Sequence, residues 1–196
     1  MLSHRHAIDP RDEMVLDAAR ECVLAVGVRR TTAADIARRA GISRMTLYRR
    51  FPDVASVVQA LMTRQFGGLL LQARDEAAGL PTARKRVAAT MVRLLELLDG
   101  DPVLRRILDV DPELMLPYIV ERPGAFQRAG IEALAAELRE GMRDGSVRLG
   151  DAAVMAATVE LAGRAHVLAA GAHERAVSAE VARQELGRMV DCYLAP

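Results

Sequence analysis

Apolar residues along this chain recur at three- and four-residue spacing and nowhere alternate over a useful length, so the pattern predicts helices and no strands. Val15, Ala18, Ala19, Cys22 and Val26 share one face of a helix over residues 10–26, which Gly27 stops. A second helix starts at Thr32, with Asp35 three residues on as a capping box, and ends at Ala40 before Gly41. A short third helix runs from a Ser43 cap to Arg50. Asp53 opens a fourth, which extends toward Ala78, and Thr82 caps a fifth to Leu98. Asp101-Pro102 and Asp111-Pro112 each place a capping acid before a proline, so a short helix is expected after both. Pro123 opens another helix to Met142, Asp151 caps a long one to Ala170, and Ser178 caps the last to Leu194. The fold class is all-α, with about nine or ten helices. A three-helix N-terminal domain (residues 1–55) and a helical C-terminal domain (residues 56–196) are expected.

Residues 31–51, TTAADIARRAGISRMTLYRRF, hold the most information. Ile36, Ala37 and Ala40 face inward on the second helix. Gly41 stands where a sharp turn between helices needs positive φ, which glycine adopts without steric cost. Ala37 is small enough for the next helix to cross it, and Ile42 and Leu47 supply the apolar contacts that hold that helix in place. This is the spacing of a helix-turn-helix, whose second helix enters the DNA major groove. The outward face of that helix offers Arg44, Met45, Thr46, Tyr48, Arg49 and Arg50. Arginine bonds guanine O6 and N7 as a bidentate pair, threonine contacts a base or a thymine methyl, and tyrosine reaches phosphate. Thr32 and Ser43, at helix N-termini, can bond phosphates alongside free backbone N–H groups.

Charge supports the same reading locally. The chain carries a net charge of only +1, but residues 1–51 hold ten Arg against six acidic residues. A basic end on a slightly acidic body fits a DNA-contacting end and a body with another task. The composition is 51% hydrophobic and 27% charged, with 3% aromatics and no Trp, as expected of a folded helical domain rather than a disordered chain. Two cysteines far apart, Cys22 and Cys192, form no disulfide framework, and a reducing cytoplasm is expected. The first residues lack the apolar stretch of a signal peptide, and no membrane association is expected.

The run from Val15 to Leu61 resembles the N-terminal domain of the tetracycline-repressor (TetR) family. The shared elements are the Ala-Ala of the first helix, Gly27, Thr32, DIARRAG and LYRRF. Many family members carry a small residue where Met45 stands and a Lys near Val54; the first departure alters base preference and the second removes a phosphate contact. The resemblance implies a regulator that binds a palindromic operator in double-stranded DNA as a homodimer. Repression is the family's commoner habit. It also implies a C-terminal cavity for a small lipophilic ligand, on segments that here carry Met62, Phe66, Met91, Leu95, Ile107, Leu108, Met115, Tyr118 and Phe126; for any single one of these, ordinary core packing is the alternative role. The last two long helices would form a four-helix bundle between two copies. Ala157, Leu161, Ala165 and Leu168 on one of them, and Leu186, Met189, Val190 and Tyr193 on the other, fall at helical spacing and are expected at that interface, the alternative being a core within one chain.

No catalytic residue, cofactor or metal is expected. His166 and His173 lie two turns apart on one helix, about 10.5 Å along its axis, too far to chelate one ion. His4 and His6 belong to a terminal tail. Glu160 and Arg164 are spaced for a helix-surface pair or for a pocket wall, and neither cysteine has the basic neighbourhood of a nucleophile. The rival reading is a helical scaffold whose helix-turn-helix no longer reads DNA, ahead of an enzyme with an appended DNA-binding domain. Salt-sensitive, sequence-specific binding separates a regulator from both.

Overall fold

The computed structural model describes residues 9–115, 124–173 and 178–196, all of them helical or in turns. The helices are α1 (Pro10–Val26), α2 (Ala33–Arg39), α3 (Arg44–Arg50), α4 (Val54–Ala77), α5 (Ala83–Gly100), α6 (Pro102–Val110), α7 (Ala125–Asp144), α8 (Ala152–His173) and α9 (Ala179–Leu194). Local chemistry sets their ends. The side chains of Asp9, Thr32, Ser43, Thr82 and Ser178 each accept a backbone N–H in the first turn of the helix that follows. Gly27 and Gly41 take positive φ at the turns that the sequence assigns to them, and Gly145 does so after α7.

One expected start is different. Asp111-Pro112 opens a 3-10 turn (Pro112–Met115) instead of an α-helix, and the Asp111 carboxylate bonds elsewhere.

The chain divides into two compact units. The first comprises Met1–Gln65 and Pro102–Pro117, and the second Phe66–Asp101 and Tyr118–Pro196. The unit that holds the helix-turn-helix therefore extends past residue 55 and includes α6. The reason is packing. Val15, Leu16, Ala19 and Val23 of α1, Ile36 and Ala37 of α2, Leu47 of α3, and Val57 and Leu61 of α4 share one buried cluster with Val103 and Ile107 of α6. Ile107, placed by sequence near a cavity, is thus a core residue of the first unit, and Met62 packs against the same cluster.

In the second unit Val87, Leu138, Val147, Met155, Ala156, Val159, Val190 and Leu194 form the buried cluster. Small residues let its helices close up. A Cβ on Gly163 would stand 2.9 Å from the Met91 sulfur, and one on Gly187 would stand 2.4 Å from a Val92 methyl. Helix α4, the described helix long and apolar enough by length and composition to cross a membrane, gives Val57 and Leu61 to the first core and buries Phe66 in the second unit.

Candidate functional site

The α2–α3 pair is built from its turn outward. Gly41 has φ +66°, the Gly41 N–H donates to the Arg38 carbonyl, and the Ile42 N–H donates to the Ala37 carbonyl at 3.0 Å. The chain reverses within two residues, and Leu47 then drops into the core against buried Ile36 and Ala37. With Leu47 facing in, the opposite face of α3 is turned to solvent. Arg44, Met45, Tyr48 and Arg49 are exposed, Met45 by 79% and Tyr48 by 48%. A large thioether and a phenol left in water on one face of a short helix are unusual in a free-standing surface and fit a contact surface.

The cations of this face differ in availability. Among the described residues, neither Arg44 nor Arg49 has an acidic partner. Arg50, expected alongside them, is claimed within the protein. Its guanidinium donates to Asp12 and Asp9 of the α1 start, and its side chain is only 21% exposed. Its pKa is raised by those two hydrogen bonds, and Asp9 is held below its usual range by the Arg11 N–H and by Arg50. Arg50 therefore fastens α3 to α1. Arg38 pairs with Asp35 and Arg39 with Glu21 at the exposed rim.

The helix-start hydroxyls are also engaged. Thr32 Oγ1 donates to the Asp35 carboxylate at 2.6 Å while accepting the Asp35 N–H. Ser43 and Thr46 share one hydrogen bond at 2.9 Å. Two hydroxyls joined by one bond leave one O–H over, so this pair keeps a donor for a phosphate.

The residues expected at an interface between copies lie in the second unit. On α8, Ala157, Leu161 and Ala165 are exposed and Leu168 is half-buried. Val154, one turn earlier, is 60% exposed and belongs to the same stripe; its spacing to Leu161 was the available signal. On α9, Met189 is exposed together with Val181, and Leu186 is half-buried. Val190 is different: it lies fully buried in the core of its own unit and is not available to a partner. Tyr193 is half covered, with the Arg148 guanidinium 4.6 Å from its ring centre while Arg148 Nε donates to the Tyr193 carbonyl.

Among the expected cavity residues, Phe66 and Phe126 meet edge to face at 6.0 Å, and Leu95 is buried. The Met115 side chain and all of Tyr118 lie outside the described residues, as do His4, His6 and the His173 side chain. Glu160 and Arg164 pair at 3.3 Å with both side chains largely covered, and burial raises the Glu160 pKa despite the nearby cation. No cluster of three potential metal ligands occurs among the described residues. Sequence reasoning missed Arg106, Asp111 and Glu113, which all anchor the α1–α2 turn. A contact spanning 83 positions leaves no local signal.

Comparison with known proteins gives this face its context. The family model described as bacterial regulatory proteins, tetR family, matches residues 15–61. The uncharacterized HTH-type transcriptional regulator Rv2250c of Mycobacterium tuberculosis is 34% identical over 92% of this chain and 92% of its own. Among solved structures, SmeT, the repressor of the Stenotrophomonas maltophilia multidrug efflux pump SmeDEF, superposes with a TM-score of 0.70 at 23% identity, covering 94% of this chain and 90% of that one. FadR of Bacillus subtilis in complex with stearoyl-CoA gives 0.69 at 17% identity, covering 93% and 98%. A relative matched along nearly its whole length, and a family model that falls on α1 to α4 around the exposed face of α3, leave one assignment: the chain belongs to the tetR family of helix-turn-helix transcriptional regulators.

Proposed function

We propose that this regulator is a ligand-responsive repressor that binds a palindromic operator as a homodimer in the cytoplasm. The observation that carries the reading is the outer face of α3, where Arg44, Met45, Tyr48 and Arg49 stand exposed on a helix fixed from behind by Leu47. Arg44, at the helix start, is the base-reading candidate, because N-terminal residues of a recognition helix meet base edges. Tyr48, Arg49, Thr32, Ser43 and Thr46 hold phosphates and set the register. Met45 offers an apolar contact to a thymine methyl. Arg50 acts from behind, tying this helix to α1.

The apolar stripe of Val154, Ala157, Leu161 and Ala165, with Met189 and Val181 on α9, supports a two-fold interface, since an isologous contact needs one self-complementary patch. Dimerisation makes the operator palindromic, with half-sites about 34–36 Å apart or a multiple of that. Phe66, Phe126, Leu95 and Met91 supply aromatic and adaptable apolar surface in the second unit for a lipophilic ligand. FadR in complex with stearoyl-CoA supports that ligand class. Ligand then favours a dimer whose recognition helices no longer match successive major grooves.

Selection of bound duplexes from a random pool at about 0.15 M salt tests the DNA reading. A palindrome is expected, with affinity falling steeply as salt rises. Recovery of no sequence from folded protein would overturn it. Stearoyl-CoA serves as the ligand probe, and its failure to shift melting or operator affinity would count against a lipophilic effector.

A further inference from the structure

We propose that Asp111 is a positioning residue for DNA reading: from the end of α6 its carboxylate sets the turn that launches α2, so operator affinity depends on residues 102–113. The proposal rests on the DNA-binding reading above.

Asp111 is 3% exposed and follows directly on a helix C-terminus. Burial removes its water, and the carbonyls of a helix end carry partial negative charge, so the position is doubly poor for an anion. The carboxylate is not spent on capping the turn after it. It accepts the Val28 N–H at 2.7 Å and the Arg29 N–H at 3.4 Å, 83 and 82 positions away. These are the first amides after Gly27, whose φ is +83°. A Cβ at Gly27 would stand 2.7 Å from the Asp111 oxygen and 3.0 Å from a Val110 methyl, so the backbone is drawn against the acid as closely as glycine permits.

The same segment grips the turn on both sides. Arg106 donates to the Ala25 carbonyl at 3.2 Å, and Glu113 pairs with Arg29 at 3.0 Å. Beyond the grip, Thr31 closes the turn on itself: its N–H donates to the Val28 carbonyl and its hydroxyl to the Gly27 carbonyl. Thr32, the α2 cap and a phosphate-binding candidate, is the next residue. One buried anion from a distant stretch of chain therefore fixes the amides that precede the reading helices. By reciprocity, whatever holds Arg106, Asp111 and Glu113 in place favours operator binding, and operator binding favours that placement.

The experiment compares wild type with Asp111→Asn, and with Asp109→Asn as a control at an exposed carboxylate of the same helix. Active protein is counted by stoichiometric titration, and affinity is measured for the selected operator and for a scrambled duplex of equal length. Asp111→Asn should weaken operator binding at least tenfold while scrambled-duplex binding stays unchanged, and Asp109→Asn should lie near wild type. A merely structural role would reduce the active fraction and leave the affinity ratio alone, and that result overturns the proposal. Should Asp111→Asn yield no active protein, amide exchange in wild type decides: slower exchange at Val28 and Arg29 on operator binding supports positioning, and unchanged exchange overturns it. If wild type itself selects no sequence, the DNA reading has failed and not the coupling.

Discussion

The two compact units solve different problems with the same element. The first is made of short helices whose ends are fixed residue by residue, with a capped start at Thr32, a left-handed Gly41, a second cap at Ser43 and Leu47 as the inward pin. The second is made of longer helices held by pattern, with Leu138, Val159 and Leu194 inside and small residues such as Gly163 and Gly187 where helices close up. A reading head must place a few side chains in register with base edges, so its residues are specified by type. A body needs volume and a face, and many sequences supply both. The difference explains why the first unit carries a recognisable motif and the second carries none.

The sharpest way to break this contrast is to remove one pin from each unit. Leu47→Ala and Leu138→Ala, both in fully buried positions, should each destabilise by about 2–5 kcal/mol in denaturant melts. In protein that remains folded, Leu47→Ala should also erase sequence preference, whereas Leu138→Ala should keep it. Equal loss of preference in both would dissolve the distinction. Next in size is Leu161→Glu on the exposed α8 stripe. A charge at the centre of a two-fold patch meets its own copy, and association should weaken by about 2–4 kcal/mol, read as a monomer by sedimentation at micromolar concentration. An unchanged dimer would move the interface elsewhere.

Two smaller effects sharpen the roles within each unit. Arg44→Ala should cost about 1–3 kcal/mol of operator affinity and relax preference at one base position. Arg50→Ala should leave base preference intact and lower stability, most visibly above pH 4. The sign follows from Asp9: its pKa is depressed in the folded state, so the stabilisation is present above its ordinary value of 3.8 and fades as pH falls through the folded value. The two proteins should therefore converge in acid, and a constant gap down to low pH would argue against this clamp. Smallest of all is Glu160→Gln. Burial raises the Glu160 pKa above 4.5, so ionisation costs the folded state, and wild type loses stability as pH rises through the folded value. The glutamine variant should match wild type in acid and melt slightly higher near neutrality; a lower melting point at neutral pH would show that the Arg164 pair outweighs the burial.

Much of the first unit was legible in the sequence because its determinants are local. Thr32, Ser43, Gly27 and Gly41 act on neighbours within four residues, and the structure places each where its chemistry predicts. What escaped is long-range. Arg50 reads as one more cation of a basic helix, yet Asp9 and Asp12 hold it from across the unit. Asp111 reads as a cap before proline, yet its partners are the amides of Val28 and Arg29. In the second unit, helical spacing gave the stripe through Ala157, Leu161 and Ala165, but spacing alone could not tell an exposed face from a buried one. Val190 shares the period of Met189 and Leu186 and still lies inside.

The division of the chain has a consequence for biosynthesis. Val103 and Ile107 are buried in the core of the first unit, although all of the second unit's α5 is translated before them. The N-terminal reading head therefore cannot finish its core when its own helices leave the ribosome; it must wait, with apolar surface uncovered, until the α6 segment has emerged. A fragment that ends after Gln65 carries every residue of the family motif and should still populate an open, aggregation-prone state. Domain order along the gene is thus not folding order, and the segment that arrives late is the one that closes the head.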